Sequence, residues 1–233
     1  MKKILLIALV FCLGIPGYAD NFTTYSSRAQ QNPNDIYDWG QFGPDLTPVP
    51  SPASATSFNG LPATVSIAGS TMYTAVDYFG SWNGNFEIGE NLLYTGQLFG
   101  GGPGPLTISF ATGVASVGFQ IQSQAYGAFS ATLQAYDGSS LLYTLNLLGN
   151  SNNNNDGSAL FMGIGDLSGP NITSIVISES MIGKGAQSDD NDFAINALSI
   201  STSSASTPEP GSIVLLGTGL LGVAGLARRR LKL

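Results

Sequence analysis

The 233-residue sequence contains no histidine and a single cysteine. Histidine is the commonest general base and metal ligand, so a Ser-His-Asp triad and a histidine zinc site are excluded. The one cysteine, Cys12, lies in an apolar run that has the features of a cleaved signal peptide. The mature chain is therefore expected to form no disulfide and to have no thiolate nucleophile or cysteine metal ligand.

Basic residues are scarce between the two ends of the chain. Of eight lysines and arginines, only Arg28 and Lys184 lie between residues 20 and 207, against 14 acidic residues. The net charge of this body is therefore −12. Nucleic-acid binding depends on basic side chains that neutralise phosphates, so this charge predicts that the protein does not bind nucleic acid. The negative charge favours solubility in the envelope or outside the cell, and the acidic side chains could also bind hard cations.

The first 19 residues have the organisation of a secretory signal peptide. Lys2 and Lys3 form a positive n-region, an apolar run extends over residues 4–15, and Gly17-Tyr18-Ala19 is a small-x-small cleavage site. The apolar run is shorter than the roughly 20 residues of a spanning helix, which argues against the alternative of an N-terminal membrane anchor. We therefore predict export through the Sec machinery and cleavage after Ala19.

Residues 53–200 show the pattern of an all-β domain. Residues 117–121 and 129–136 alternate between apolar and polar or small side chains. Alternation with a period of two indicates strands that have one buried face and one solvated face. Asp137-Gly138 has hairpin-turn chemistry. Many short strands separated by turn residues predict an antiparallel jelly-roll-like β-sandwich.

The segments around this domain differ from it in composition. Residues 20–52 contain five prolines and predict an extended arm, either packed on the sandwich or partly disordered. Residues 201–207 are rich in Ser, Thr and Ala and are predicted to be a linker. Residues 208–233 form a tail, with a predicted helix over 211–227 and a basic end over 228–232.

This tail combines three features in a fixed order. They are a Pro-Glu-Pro motif, an uncharged run and a basic cluster: Pro208, Glu209 and Pro210; residues 211–227; and Arg228, Arg229 and Arg230. A helix over the uncharged run is about 25 Å long, close to the thickness of a bilayer's hydrocarbon core. The arginines mark the cytoplasmic side by the positive-inside rule, which places the body outside the inner membrane. A plain membrane anchor is the simpler alternative.

The tail resembles the PEP-CTERM sorting signal. The resemblance covers residues 207–233 and rests on Thr207-Pro208-Glu209-Pro210-Gly211-Ser212, the short Leu/Gly/Ala helix and the three arginines. In that family the tail is recognised by exosortase, a membrane cysteine protease that processes the protein near the motif. The resemblance implies an exported protein that the tail first anchors in the membrane, with a final place in the Gram-negative envelope, at the surface or outside the cell. The same tail is also described as an ice-binding C-terminal domain.

The body resembles, more weakly, the sandwich bodies that are common in this family. The resemblance rests on residues 117–119, 131–137, 161–164 and 192–198. The last strand of such bodies often ends in a Phe-Ala-Ile-Asp-like pattern, whereas Asn196 stands at the Asp position here. A carboxylate function at that position is therefore not expected.

Asp189, Asp190 and Asp192 belong to the densest acidic group of the sequence. Carboxylate oxygens at short spacing suit Ca²⁺, which takes roughly 6 to 8 oxygen ligands. Carboxylates this close repel one another unless something neutralises them, and Lys184 is the only basic residue near them. These residues therefore predict one Ca²⁺ site before the final strand, with a solvated turn as the alternative.

Trp82 is the main candidate for stacking against a sugar. Asn83, Asn85 and Glu87 follow it closely and offer hydrogen-bonding side chains. A position in the hydrophobic core is the alternative for such an aromatic residue. Further aromatic candidates for the same role are Trp39, Tyr78, Phe79 and Tyr94.

These features predict a non-catalytic envelope or matrix protein associated with exopolysaccharide or biofilm. One alternative is a carboxylate-based glycoside-active enzyme that uses Glu87 and Glu90. A glycosidase pair needs two carboxylates about 5 to 10 Å apart, and a spacing of three residues does not ensure that they converge. The other alternative is an ice-binding or adhesin-type surface protein, although the sequence shows no regular Thr-x-Thr ladder.

Overall fold

The computed structural model describes residues 21–96, 104–183 and 192–203, and most of these residues lie in β-strands. The only helices in these ranges are a short α-helix, α1, at Arg28–Gln31 and a 3-10 helix at Trp39–Phe42. The strands have the following bounds: β1 Phe22–Tyr25, β2 Asp35–Tyr37, β3 Pro48–Val49, β4 Ala53–Thr56, β5 Pro62–Ile67, β6 Met72–Val76, β7 Asn91–Tyr94, β8 Leu106–Val114, β9 Ser116–Ser123, β10 Gly127–Asp137, β11 Ser140–Ser151, β12 Leu160–Asp166, β13 Ile172–Met181, β14 Phe193–Ile195 and β15 Leu198–Ser201.

The strands form two antiparallel sheets. Sheet A has nine strands, seven of them in the order β1-β12-β9-β14-β7-β6-β3. In the same sheet, β15 pairs with β9 beyond the end of β14 and carries β2 on its other side. Sheet B has six strands in the order β11-β10-β13-β8-β5-β4. The predicted fold class, an antiparallel jelly-roll-like β-sandwich, is thus confirmed.

One large hydrophobic cluster joins the inward-facing side chains of both sheets. Phe119 and Ile121 enter it from sheet A, and Ile108, Leu133 and Ile177 enter it from sheet B. Each of these side chains is fully buried. Burial of an aliphatic or aromatic side chain of this size contributes about 1.5–3 kcal/mol, so this cluster holds the two sheets together.

A second, smaller hydrophobic cluster lies on the outer face of sheet A. On β7, Leu93 belongs to the main cluster, whereas Leu92 and Tyr94 belong to the second, as side-chain alternation along a strand requires. Trp82 and Phe86, from the loop between β6 and β7, complete this cluster. Sheet A is therefore buried on both faces where this loop crosses it.

Strand β9 departs from the alternation that the sequence predicts. Phe119 and Ile121 face the core as expected, but Gln122 is buried as well and Gln120 is half-buried. The predicted solvated face is wrong here because loops cover it, and the Gln122 amide instead accepts a hydrogen bond from Trp82 Nε1 (3.2 Å). Strand β10, in sheet B, alternates between buried and more exposed positions as predicted.

The segment predicted to be a proline-rich arm, residues 20–52, contributes three strands to sheet A. Strands β1, β2 and β3 pair with β12, β15 and β6, respectively. Tyr37 and Trp39 are fully buried in the main cluster, and Trp39 Nε1 donates to Asn196 O (2.8 Å). The sandwich thus begins at Phe22, ahead of the predicted boundary at residue 53. Strands of two to four residues are too short for a period of two to be read from the sequence.

Several sequence predictions lie outside the described residues. They concern the signal peptide with its cleavage site at Ala19, Asp189 and Asp190 of the acidic group, and the tail from Pro208 onward. Within residues 21–96, 104–183 and 192–203, no helix has the length and apolar character needed to cross a membrane.

Candidate ligand-binding pocket

A pocket of about 270 Å³ opens at the edge of the second hydrophobic cluster. Tyr94 comes from β7, the loop between β6 and β7 supplies three residues, and the turn between β9 and β10 supplies two. The lining consists of aromatic, amide and hydroxyl side chains: Ser81, Trp82, Asn83, Tyr94, Gln124 and Tyr126. None of these six side chains carries a charge.

Two nearly buried aromatic rings line the inner part of the pocket. The rings of Trp82 and Tyr94 meet edge to face, with centroids 5.4 Å apart and an interplanar angle of 64°. Phe86 also packs against Trp82, with ring centroids 6.1 Å apart and an interplanar angle of 60°. Edge-to-face contacts of this kind add to the free energy gained by burial. The orientation of the two rings is therefore set by packing within the protein.

Gln122 holds the Trp82 indole through a hydrogen bond. Its Oε1 accepts hydrogen bonds from Trp82 Nε1 (3.2 Å) and Asn85 N (2.6 Å). Its Nε2 donates to Ser151 Oγ (2.8 Å) and Asn152 O (2.9 Å). This buried amide thereby joins the loop that carries Trp82 to the start of the asparagine-rich segment after β11.

Tyr94 connects the pocket to Asp192. Its hydroxyl lies 2.7 Å from Gln124 Oε1 and 3.3 Å from Asp192 Oδ2. Burial raises the pKa of Tyr94, and the Asp192 carboxylate raises this pKa further. The phenol is therefore protonated at neutral pH and is the donor to one of these two oxygens.

Tyr126 forms the exposed rim of the pocket. Its side chain is 49% exposed, and its hydroxyl donates to Asn83 O (2.7 Å). Asn83 Oδ1 in turn accepts from Asn155 Nδ2 (3.2 Å). The rim thus presents a positioned aromatic ring beside amide groups. Apolar faces with a few convergent polar groups are the usual composition of a ligand pocket, and this set suits an uncharged ligand rich in hydroxyl groups.

A buried carboxyl group underlies the loop that carries Trp82. Asp77 is fully buried, and its Oδ1 accepts from Gly84 N (3.0 Å). Its Oδ2 is buried without a hydrogen-bond partner among the described residues. Burial raises the pKa of Asp77 to about 6, and the backbone hydrogen bonds oppose this rise. The loop therefore encloses a carboxyl group that takes up a proton at a higher pH than an ordinary aspartate does.

Glu87 and Glu90, the candidate glycosidase pair, have different environments. Both oxygens of Glu90 accept from Asn196 Nδ2 (3.0 and 3.2 Å), whereas Glu87 is exposed. Burial raises the pKa of Glu90, and the Asn196 hydrogen bonds oppose this rise. Asn196 also donates to Gln120 Oε1 (2.8 Å), and its Oδ1 accepts from Arg28 Nη2 (3.3 Å). Glu90 is thus bound within an internal polar network rather than directed, together with Glu87, at a shared cleft.

Only Asp192 of the predicted Ca²⁺ ligands lies among the described residues. It is buried, with its Oδ2 near the Tyr94 hydroxyl, and its backbone oxygen accepts from Gln124 N (2.8 Å). Within residues 21–96, 104–183 and 192–203, no three His, Cys, Asp or Glu side chains are grouped in a way that suits a metal ion. Since Asp189 and Asp190 lie outside these ranges, the Ca²⁺ site stays a prediction.

The structure brings Trp82 and Asp192, predicted for two separate sites, to either side of Tyr94. Trp82 is nearly buried, so most of its ring has the core position that was the alternative to sugar stacking. Part of the ring still lines the pocket. The sequence alone predicts no role for Gln124 or Tyr126. The only sequence signal for them is that a glutamine and a tyrosine follow directly after the predicted strand β9. Polar and aromatic residues are common in turns, so this signal is weak.

The comparisons with known proteins concern the tail and the fold. Residues 206–230 match the family model of the PEP-CTERM protein-sorting motif. No curated protein matches the sequence. Among solved structures, the chain is similar to a DUF4465 family protein from Bacteroides caccae, with 13% identity, a TM-score of 0.45, and coverage of 71% of this chain and 98% of that chain. It is also similar to TmCBM61 in complex with β-1,4-galactotriose, with 10% identity, a TM-score of 0.19, and coverage of 60% and 69%, respectively.

The match confirms the resemblance that the tail shows in the sequence, because it includes Pro208, Glu209 and Pro210 and the three arginines. The motif implies export, and it implies exosortase as the processing partner. Residues 206–230 are therefore a PEP-CTERM protein-sorting motif, which implies an exported protein that is processed at the membrane.

Proposed function

We propose that the sandwich domain is a non-catalytic envelope or matrix protein that binds an exopolysaccharide through the pocket between Trp82 and Tyr126. The observation that carries this proposal is the composition of the pocket. It joins aromatic rings to amide groups, with a solvent-exposed tyrosine at its rim. A sugar ring has apolar faces that stack on aromatic side chains and hydroxyl groups that pair with amides.

The charge distribution favours a neutral glycan over an acidic one. The six lining residues are uncharged, and the buried Asp192 carboxylate lies directly behind Tyr94. The body carries a net charge of −12, so a polymer rich in uronic acids is repelled at low ionic strength. The ligand class that fits is a polysaccharide of neutral hexoses.

The surroundings of the acidic residues support a role without catalysis. Glycoside hydrolysis needs one carboxylic acid that donates a proton and a second carboxylate across the scissile bond. No carboxylate is among the six residues that line the pocket. Glu90 has both oxygens hydrogen-bonded to Asn196, which restricts its access to a substrate.

The test is a glycan array probed with the full chain in detergent, followed by calorimetric titration of the polymers that bind. The array includes neutral, amino-sugar and uronic-acid polysaccharides, and also exopolysaccharide from the producing bacterium. Tyr126→Ala removes the exposed ring and is expected to weaken binding at least tenfold. Tyr136→Ala removes a half-buried tyrosine from sheet B and is the matched control. Equal affinities of the two variants, or no binding to any polymer, would refute the proposal.

The enzyme alternative is tested in parallel by measuring new reducing ends with the same polymers. The non-catalytic proposal expects none above background. Turnover that disappears in Glu87→Gln or Glu90→Gln, while the variants stay folded, would establish the enzyme instead.

A further inference from the structure

Both ends of the described domain emerge at the same end of the sandwich. Phe22, in the first strand, pairs with Asp166. Asp166 N donates to Ala115 O (2.7 Å), and Ala115 N donates to Ser201 O (2.7 Å) in the last strand. The start of the first strand and the end of the last strand are thus connected by one strand pair and two hydrogen bonds. We call this end, marked by Phe22, Asp166, Ala115 and Ser201, the tether pole, because the chain leaves it toward the sorting motif.

The ligand pocket lies at the opposite end of sheet A. Strand β9 begins at Ser116, which pairs with Ser201, and ends at Ser123, which pairs with Phe193. Gln124 of the pocket follows directly. At about 3.3 Å per residue, Ser116 and Gln124 are separated by about 26 Å along the strand. The pocket therefore faces away from the point where the tail is attached.

The most exposed large hydrophobic side chain among the described residues lies at the tether pole. Phe58 is 88% exposed and occupies the turn between β4 and β5. Its backbone NH donates to Ile36 O (2.8 Å). Its neighbour Asn59 donates through Nδ2 to Asn34 O (2.9 Å), and Asn34 Nδ2 donates to Thr202 Oγ1 (3.3 Å). These bonds fix the turn beside Thr202, which directly follows the last strand.

The tail is too short to hold this pole far from a membrane. From Ser203 to Pro208 the chain reaches at most about 18 Å, and to Gly211, where the predicted membrane helix begins, at most about 29 Å. We infer that, while the tail is uncleaved, Phe58 inserts into the lipid interface, so that the tether pole faces the bilayer and the pocket faces outward. Aromatic side chains favour this zone. The inference rests on the sorting tail and not on glycan binding, so the two fail separately.

The charges at the tether pole permit contact with a phospholipid surface. The shallow depression beside it is lined by uncharged side chains, including Asn34, Ser116 and Ser203. Asp35 and Asp166 are buried and accept hydrogen bonds from neighbouring hydroxyl, amide or backbone groups. Among the described residues, the carboxylates nearest this pole, Asp35 and Asp166, are therefore buried and hydrogen-bonded within the domain.

The experiment places a reporter tryptophan at residue 58. The full-chain Phe58→Trp variant is reconstituted into phosphatidylethanolamine–phosphatidylglycerol vesicles, with or without lipids brominated near the headgroup end of the acyl chains. Native Trp39 and Trp82 are nearly or fully buried, so the wild-type signal is subtracted as background. We expect at least a twofold loss of the additional fluorescence in brominated vesicles.

Leu148→Trp is the matched control, because Leu148 is 73% exposed on the edge strand β11 and lies far from the tether pole along the strands of sheet B. Its additional fluorescence should be unchanged by bromination. Equal quenching at the two positions, or none at residue 58, would overturn the inference. A photo-crosslinker at residue 58 that captures exosortase in cells, together with no quenching in vesicles, would assign this pole to the enzyme instead of the lipid.

Discussion

At the scale of single residues, Asp77, which lies under the pocket loop, makes the stability of the domain depend on pH. It is fully buried, and burial raises its pKa from 3.8 to about 6. The folded protein therefore binds the Asp77 proton more tightly than the unfolded chain does. This contribution to stability is complete below about pH 4 and is lost as the pH rises through about 6. Its upper limit is about 3 kcal/mol, because one pKa unit corresponds to about 1.4 kcal/mol.

We predict that Asp77→Asn removes this pH dependence, because the carboxamide does not titrate. Between pH 4 and pH 7, the free energy of unfolding of the variant should improve relative to wild type by up to about 3 kcal/mol. Urea unfolding at both pH values measures this difference. Asp137→Asn alters an exposed carboxyl group in a turn and is the control. A constant difference between Asp77→Asn and wild type at the two pH values would contradict the assignment.

The buried polar network around Asn196 depends on the amide group of this side chain. Its amide group donates to Glu90 and Gln120, and its Oδ1 accepts from Gln120 N (2.7 Å). Asn196→Asp replaces this donor by a second carboxylate against Glu90. We predict a loss of about 3 kcal/mol in unfolding free energy at pH 7, with a smaller loss at pH 4 where both acids take up protons.

The control for this substitution is Asn153→Asp, which makes the same change at an exposed position in the asparagine-rich segment. It should alter the free energy of unfolding by less than about 0.5 kcal/mol. Equal effects of the two substitutions would show that the Asn196 network does not require an amide.

At the scale of secondary-structure elements, α1 packs on sheet A through a glycine. A Cβ atom at Gly118 would collide with Gln31 Oε1 and lie 2.7 Å from Phe161 Cζ. Gln31 is buried, and its Nε2 donates to Ser116 Oγ (3.1 Å) and Ser199 O (3.2 Å). The glycine thus makes room for a side chain that joins α1 to β9 and β15.

We predict that Gly118→Ala destabilises the protein by about 1–3 kcal/mol through overpacking. Gln31→Ala, made in the same chain, removes one colliding group. The double variant should therefore lose less free energy of unfolding than the sum of the two single variants. Denaturant unfolding of the four proteins gives the coupling energy, and strict additivity would contradict the proposed collision.

Which elements were predictable from the sequence depended on their length and on how many faces they bury. Strand β10 is long and covered on one face, so its alternation is visible in the sequence. Strand β9 is covered on both faces, because Trp82 and the asparagine-rich segment lie on its outer side. In the sequence, however, its glutamines suggest that this outer face is solvated. The cover comes from residues some 30 to 40 positions away, which periodicity within a strand does not detect.

At the scale of the whole molecule, the N-terminal segment completes the sandwich. We predict that a chain starting at residue 53 does not fold, because it lacks β1, β2 and β3 and leaves the cavity of Tyr37 and Trp39 empty. Loss of one large core side chain alone costs about 3–5 kcal/mol. Chains starting at residues 20 and 53 should be compared by near-ultraviolet circular dichroism and by urea unfolding. A cooperative transition with a similar midpoint in both would restore the boundary at residue 53.

The sequence predicts the sorting motif and the fold class well, but the pocket only in part. The motif is contiguous, so Pro208, Glu209 and Pro210 are recognised without knowledge of the fold. The pocket instead assembles Trp82, Tyr94 and Tyr126 from three separate segments. Their proximity depends on the order of strands in sheet A, which the sequence alone does not specify.

The hydrogen bonds of Arg28 have a consequence for the lifetime of the exported protein. Arg28 Nη2 donates to Ala197 O (2.7 Å), which ties α1 to the last strands of the sheet. Arg28 is also the only peptide position between residues 20 and 183 at which a trypsin-like protease can cut. Proteolysis proceeds through opened states, and opening at this position requires α1 to detach from the sheet. Between residues 20 and 183, a trypsin-like protease can therefore cut the exported chain only after this one helix has detached from the sheet, and Lys184 is the other such site before the tail.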